Sequence, residues 1–153
     1  MPHATTPAAP ADATVDLAAL QALLTDRVAP WVTALNLRVL EARPGEVVLA
    51  LPVAPHHVHG GGVLCGQSIM AAADTAMVLA ISSQLGGFKP MTTVQLQTSF
   101  LRPIPGSTTG DSGEARVVAR VLRLGKSLAF GEIEVLDAAG RLAAHATTTY
   151  ALL

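Results

Sequence analysis

"CGQSIMAAADTAMVLA", residues 65–80, is the stretch on which the reading of this chain turns. It is a run of small and apolar residues with one carboxylate, Asp74, in its middle. No other Asp, Glu, Lys or Arg occurs between Glu46 and Lys89. A carboxylate placed like that is costly unless it is paired, or it is there for chemistry. The stretch runs on to Leu85 and stops at Gly86-Gly87, which predicts a long helix from about Cys65 to Leu85. Such a helix is apolar on nearly every side, so it must be covered on nearly every side. A membrane could do that for Val63 to Ile81, but a central Asp costs roughly 2.5–3.5 kcal/mol on insertion. Burial inside a protein fits better.

Working outward, Leu17, Leu20, Leu23 and Leu24 recur at helical spacing between Asp16 and Val32, with Asp16 as a candidate N-cap and Pro30 limiting the helix. Leu35–Ala42 and Glu46–Val53 read as strands joined by the turn "RPGE". The segment 54–62, "APHHVHGGG", reads as a loop. Beyond the long helix the period changes from about 3.6 to 2. Met91–Leu101 alternates, with Val94, Leu96, Thr98 and Phe100 on one face and Thr93, Gln95, Gln97 and Ser99 on the other. Strands follow at Glu114–Leu124, Ser127–Leu136 and Arg141–Leu152, with "RLGKS" and "DAAG" as turns. Consecutive strands joined by short turns imply an antiparallel sheet. One sheet cannot enclose an all-apolar helix, so a second copy of the chain is expected to complete the cover.

The 153 residues suggest one domain over 16–153, preceded by a disordered Pro- and Ala-rich tail over 1–15 that has no signal-peptide pattern. Half the residues are hydrophobic but only five are aromatic, so the core must be built from Ala, Val and Leu. A net charge of -1 gives no electrostatic basis for nucleic-acid binding. The single cysteine, Cys65, excludes an intrachain disulfide and a cysteine zinc cluster, and is compatible with a cytoplasmic location. His56, His57 and His59 lack a second ligand group at metal-binding spacing, and no metal is expected.

"AAADTAMVLA", "TVQLQTSFLRPIPG" and "LRLGKSLAFGEIEVLDAAGRLAAHATTTYA" together resemble the hot-dog-fold acyl-CoA thioesterases. The likeness is to the branch with the phenylacetate-pathway and 4-hydroxybenzoyl-CoA thioesterases, over about residues 35–152. It implies an α+β hot-dog fold, an antiparallel sheet wrapped around one long central helix, here with an extra N-terminal helix. The family signature is an Asn, then six residues on His-Gly-Gly, then an acid nine residues after that His. Anchored on Asp74, the His-Gly-Gly slot holds Cys65-Gly66-Gln67, and His59 stands where the family has Asn. The acid and first glycine match; the histidine, second glycine and asparagine do not.

Thioester hydrolysis needs a polarised carbonyl oxygen and a supplied or activated nucleophile. The helix N-terminus at Gly66 and Gln67 offers unpaired N–H groups and a positive dipole end. Asp74 is the candidate nucleophile or general base. Gln67 and Asp74 lie two turns apart on one helix face, roughly 10 Å along the axis, too far for one carbonyl group to touch both. Two antiparallel helices from two subunits would solve this, and the resemblance implies such a shared site in a homodimer or dimer of dimers. It also implies an acyl-CoA substrate, no separate cofactor, and a role for Thr93, which matches a family Ser/Thr position near the acid. Cys65, Arg102, Arg123, Lys126 and Ser127 are candidate substrate contacts, the cations for the CoA phosphates. Other readings stay open: Asp74 as a purely structural carboxylate, Cys65 as an activated thiol, a non-catalytic acyl-CoA-binding protein, or an acyl-thioester dehydratase or hydratase.

Overall fold

A computed structural model describes residues 14–153. The expected tail lies outside these residues except for Thr14 and Val15. The chain runs α1 (Leu17–Asp26), α2 (Pro30–Thr33), β1 (Arg38–Arg43), β2 (Glu46–Pro52), α3 (Gly66–Leu85), β3 (Met91–Phe100), β4 (Glu114–Leu124), β5 (Leu128–Leu136) and β6 (Leu142–Leu152). The strands form one antiparallel sheet in the order β1-β2-β4-β5-β6-β3, with α3 packed along it. This is the sheet-around-a-helix arrangement that the sequence implies.

The face of the sheet towards α3 is written in alternate residues: Val47, Leu49 and Leu51 on β2, Ala115, Val117 and Ala119 on β4, Ile133 and Val135 on β5, Ala144 and Ala146 on β6, all essentially buried. From the helix side Ala72, Ala73, Ala76 and Ala80 meet them with no exposed surface. Small residues on both sides bring helix and sheet close, which is how a chain with few aromatics fills its core. Each fully buried Leu or Ile, such as Leu49, Leu79 and Ile133, contributes roughly 1.5–3 kcal/mol. Gly131 on β5 marks the tightest approach: a Cβ there would lie 2.3 Å from Met77 Cε and 2.9 Å from the Arg120 carbonyl oxygen. The opposite face carries the ion pairs, with Arg120 bridging Glu46 and Glu134 at 3.0 and 2.8 Å.

The helix ends follow their sequence signals. Asp16 Oδ1 accepts from the N–H groups of Ala18 and Ala19 at 2.9 and 3.2 Å. Gly86, at φ +77°, ends α3 in the left-handed region, and the Gly87 N–H donates to Ser82 O at 2.9 Å. Three details differ from the expectation. The helix expected over 16–32 is two helices, because Pro30 starts α2 rather than closing α1. Residues 35–37 precede β1 instead of belonging to it. The turn read as "RLGKS" is shorter, 125–127, because Arg123 and Leu124 belong to β4, whose bounds are those expected.

β3 departs from strict alternation. Thr93 pairs with Tyr150 but Gln95 pairs with Thr149, so Val94 is the extra residue of a β-bulge. Beyond it Leu96, Thr98 and Phe100 oppose Thr148, Ala146 and Ala144. Directly opposed residues share a face, and Tyr150, Thr148, Ala146 and Ala144 alternate along the buried face of β6. The bulge therefore places Thr93 on the same face as Leu96, not the opposite one, and leaves Val94 exposed.

Candidate active site at Asp74

Asp74 lies midway along α3 on a stripe that the sheet leaves partly open. Twelve residues of α3 are buried, whereas Gln67, Met70, Ala71, Asp74 and Val78 keep accessible surface. Their spacing of three and four residues puts them on one face. The helix is the one element among the described residues long and apolar enough to cross a membrane, and most of it is buried inside the fold.

Two hydroxyls converge on the Asp74 carboxylate. Thr93 Oγ1 lies 3.0 Å from Oδ1 and 3.2 Å from Oδ2. The Tyr150 hydroxyl lies 2.5 Å from Oδ1 and 2.9 Å from the Asp74 carbonyl oxygen. Burial of the phenol and the negative Asp74 beside it push the Tyr150 hydroxyl well above its ordinary value, so it stays a donor. Oδ1 is thus held by two donors, while Oδ2 shares only Thr93. Asp74, Thr93 and Tyr150 all line a cleft of about 290 Å³ between α3, the start of β3 and the α1–α2 segment.

Tyr150 was not among the residues that the sequence singled out. It stands 76 positions from Asp74 and is the only tyrosine in the chain. Its place in the series Ala144, Ala146, Thr148, Tyr150 is the signal that could have aimed it at the helix. The α1–α2 wall of the cleft, including Arg27, gave no such signal, because it depends on how α1 docks.

The other expected residues lie elsewhere within the chain. Gly66 and Gln67 form the first turn of α3, as read, but not beside Asp74. The Phe100 ring packs over Gly66, 3.2 Å from where a Cβ would be. Cys65 precedes the helix, with Sγ 3.0 Å from Ser68 Oγ. His59 is exposed and its Nδ1 accepts from the Gly61 N–H at 2.9 Å, inside its own loop. His57 is buried, with Nδ1 3.1 Å from the Pro52 carbonyl. His145 Nε2 lies 3.3 Å from Glu132 Oε2.

The phosphate candidates divide into two groups. Arg102 follows β3 and bonds through its N–H to Ala143 O at 3.0 Å, beside the start of β6. Ser127 accepts from Leu152 N at 2.9 Å, at the far end of β6, with Lys126 next to it and Arg123 near the end of β4. The eleven residues of β6 separate the two groups by roughly 30 Å. Within one chain they cannot hold the same phosphate.

Known proteins share this fold. Residues 56–144 match the model of the Thioesterase superfamily. "Putative esterase TV1331" of Thermoplasma volcanium is 31% identical over 118 residues, covering 72% of this chain and 77% of that protein. A mutant of the phenylacetic acid degradation protein PaaI from Thermus thermophilus superposes with a TM-score of 0.69 at 29% identity, covering 82% of this chain and 100% of the other. The thioesterase HI1161 from Haemophilus influenzae shares the fold, with a TM-score of 0.78 at 22% identity over 92% of each chain. With a matching family model over more than half its length and a 31% identical relative over 72% of it, the chain belongs to the thioesterase superfamily and is a thioester hydrolase.

Proposed function

We propose that the protein hydrolyses acyl-CoA thioesters at a site shared between two copies, with Asp74 as the nucleophile or general base. The observation that carries this reading is the Asp74 carboxylate, held by the Thr93 and Tyr150 hydroxyls at the lining of a cleft. In the general-base course, water adds its oxygen to the carbonyl carbon and gives a proton to Asp74. The carbonyl electron pair moves to oxygen, then returns as the C–S bond breaks. The sulfur takes the proton, leaving a carboxylic acid and the free thiol of CoA. In the nucleophilic course the Asp74 carboxylate attacks the carbonyl carbon and the C–S bond breaks, expelling CoA thiolate and leaving an anhydride. Water then cleaves the anhydride to the carboxylic acid and free Asp74, and the released proton goes to the thiolate. Neither course calls for a cofactor.

Three observations support a shared site. The stripe from Gln67 to Val78 is open in one chain. β3 is a sheet edge, with Val94, Phe100 and Leu101 exposed along it. The N-terminus of α3, which carries the amide donors for a developing oxyanion, is far from Asp74 in the same chain. A second copy laid antiparallel along β3 would set its Gly66–Gln67 end beside this copy's Asp74. It would likewise bring its Arg102 end to this copy's Arg123, Lys126 and Ser127, completing one phosphate-binding surface. Further pairing into a tetramer and a cytoplasmic location, which the lone Cys65 fits, go with this reading.

The deciding experiment is Asp74→Asn, followed by thiol release from acyl-CoA and by urea unfolding. The carboxamide keeps the shape and removes the charge. Turnover should fall on the order of 10²–10⁴-fold, the range for a positioned base, with the urea midpoint little changed. A large loss of stability with turnover retained in the folded fraction would assign Asp74 to structure. Heavy-oxygen water in a single turnover separates the two courses, since only the nucleophilic one labels Asp74.

A further inference from the structure

We propose that the cleft beside Asp74 receives the acyl group, and that Arg27 selects acyl groups that are short, apolar along their length and terminated by a carboxylate. The inference rests on the thioesterase reading of Asp74. The cleft is walled by Leu23, Val28 and Val32 from α1, α2 and the segment joining them, and by Val78, Phe88 and Met91 from the body of the fold. Its volume of about 290 Å³ is at the lower limit for small-molecule pockets, which suits a short chain.

Among the described residues only two charged side chains line it, Asp74 and Arg27. The Arg27 guanidinium carbon lies 4.9 Å from the centre of the Phe88 ring. Among the described residues none of the ion pairs uses Arg27. A guanidinium resting on a ring face keeps N–H donors free at its edge, the geometry that receives a carboxylate through two parallel hydrogen bonds. The two charges also give the cleft a direction. A substrate whose thioester carbon meets Asp74 and whose far carboxylate meets Arg27 is favoured at both ends, and the reverse orientation sets like charges together.

Adipoyl-CoA and hexanoyl-CoA have equal chain length and differ in the terminal carboxylate, so their kcat/KM ratio reads this selection directly. The wild-type protein should favour the adipoyl ester. Arg27→Gln should lower the adipoyl-to-hexanoyl ratio by about tenfold, the scale of one partly exposed charge-assisted pair, and Arg27→Glu should invert it. Calorimetric Kd values of both esters for Asp74→Asn, with and without Arg27→Gln, should show the same change in ratio without turnover. Equal treatment of the two esters by the wild type, or a ratio untouched by Arg27→Gln, overturns the proposal. Arg27-dependent preference in Kd with neither ester hydrolysed by the wild type would instead uphold the cleft assignment and overturn the hydrolase reading on which it rests.

Discussion

The Tyr150 hydroxyl approaches Asp74 Oδ1 at 2.5 Å, joining the last strand of the sheet to the middle of the central helix. Thr93 reaches the same oxygen from β3 at 3.0 Å. One carboxylate oxygen is thereby fixed from two neighbouring strands, and its rotation about the side chain is restricted.

Tyr150→Phe removes one donor and keeps the ring. A hydrogen bond to a charged group contributes about 1.5–3 kcal/mol, so kcat should fall about 10- to 100-fold. KM should move little, because the lost contact orients Asp74 rather than substrate. Steady-state kinetics of the variant beside Thr93→Val checks this; a change confined to KM would place Tyr150 in substrate binding.

The same contact has a pH signature. Tyr150 holds its proton above the ordinary value of 10.0, chiefly through burial and then through the charge of Asp74. Above pH 10 the unfolded chain therefore loses this proton before the folded one does. The stability contributed is full below about pH 10 and declines as pH rises beyond it. With one tyrosine in the chain, tyrosinate absorbance reports this group alone. Native protein should titrate later than urea-unfolded protein, and coincident curves would contradict the burial.

A shared site predicts complementation. Asp74→Asn and Gly66→Val each damage a different end of every site in a homodimer. Mixed dimers hold one site with both defects and one with neither, so activity should return towards half of wild type. Verified mixed dimers that stay inactive would show that each site is built within one chain.

Separation of the cations predicts a kinetic split. Lys126→Ala and Arg123→Ala should each raise KM for acyl-CoA several-fold and leave kcat nearly unchanged. The increase should vanish with acyl-pantetheine, which lacks the nucleotide phosphates. An equal increase with both substrates would place these side chains against the acyl or pantetheine part.

Gly131→Ala tests the packing. The new methyl would lie 2.3 Å from Met77 Cε and 2.9 Å from the Arg120 carbonyl. Met77 can rotate away, but the carbonyl belongs to the adjacent strand and cannot. Overpacking of this kind costs about 1–3 kcal/mol, and Met77→Ala in the same chain should recover only part of it. Urea midpoints of the two single variants and the double variant give the division.

The long helix, the antiparallel order and the buried faces were legible because period and turn residues are local. Asp74 was legible for a different reason: it is the only charge in a long apolar stretch, and burial makes such a charge conspicuous. Thr93 was reached through the family resemblance, while simple alternation placed it on the wrong face. A bulge inserts one residue without any composition signal, so Val94 could not be recognised as the extra one. Tyr150 and Arg27 depend on the docking of distant segments, which no spacing rule encodes. The phosphate candidates looked like one group because charge type is visible in a sequence, whereas the length of the strand between two turns becomes meaningful only once the sheet is assembled.

α1 is tied to the sheet edge by Gln21, which donates to Leu37 O at 3.2 Å and accepts from Val39 N at 2.8 Å. The wall it brings to the cleft is encoded before residue 33, while Asp74, Thr93 and Tyr150 are encoded from α3 onward. The two parts can therefore be inherited at different rates. Replacement of residues 23–32 by recombination would remodel one side of the cavity and leave the carboxylate and its two hydroxyls untouched. On such a scaffold a lineage can trade one substrate for another by a short exchange in the segment that carries the end of α1 and the start of α2.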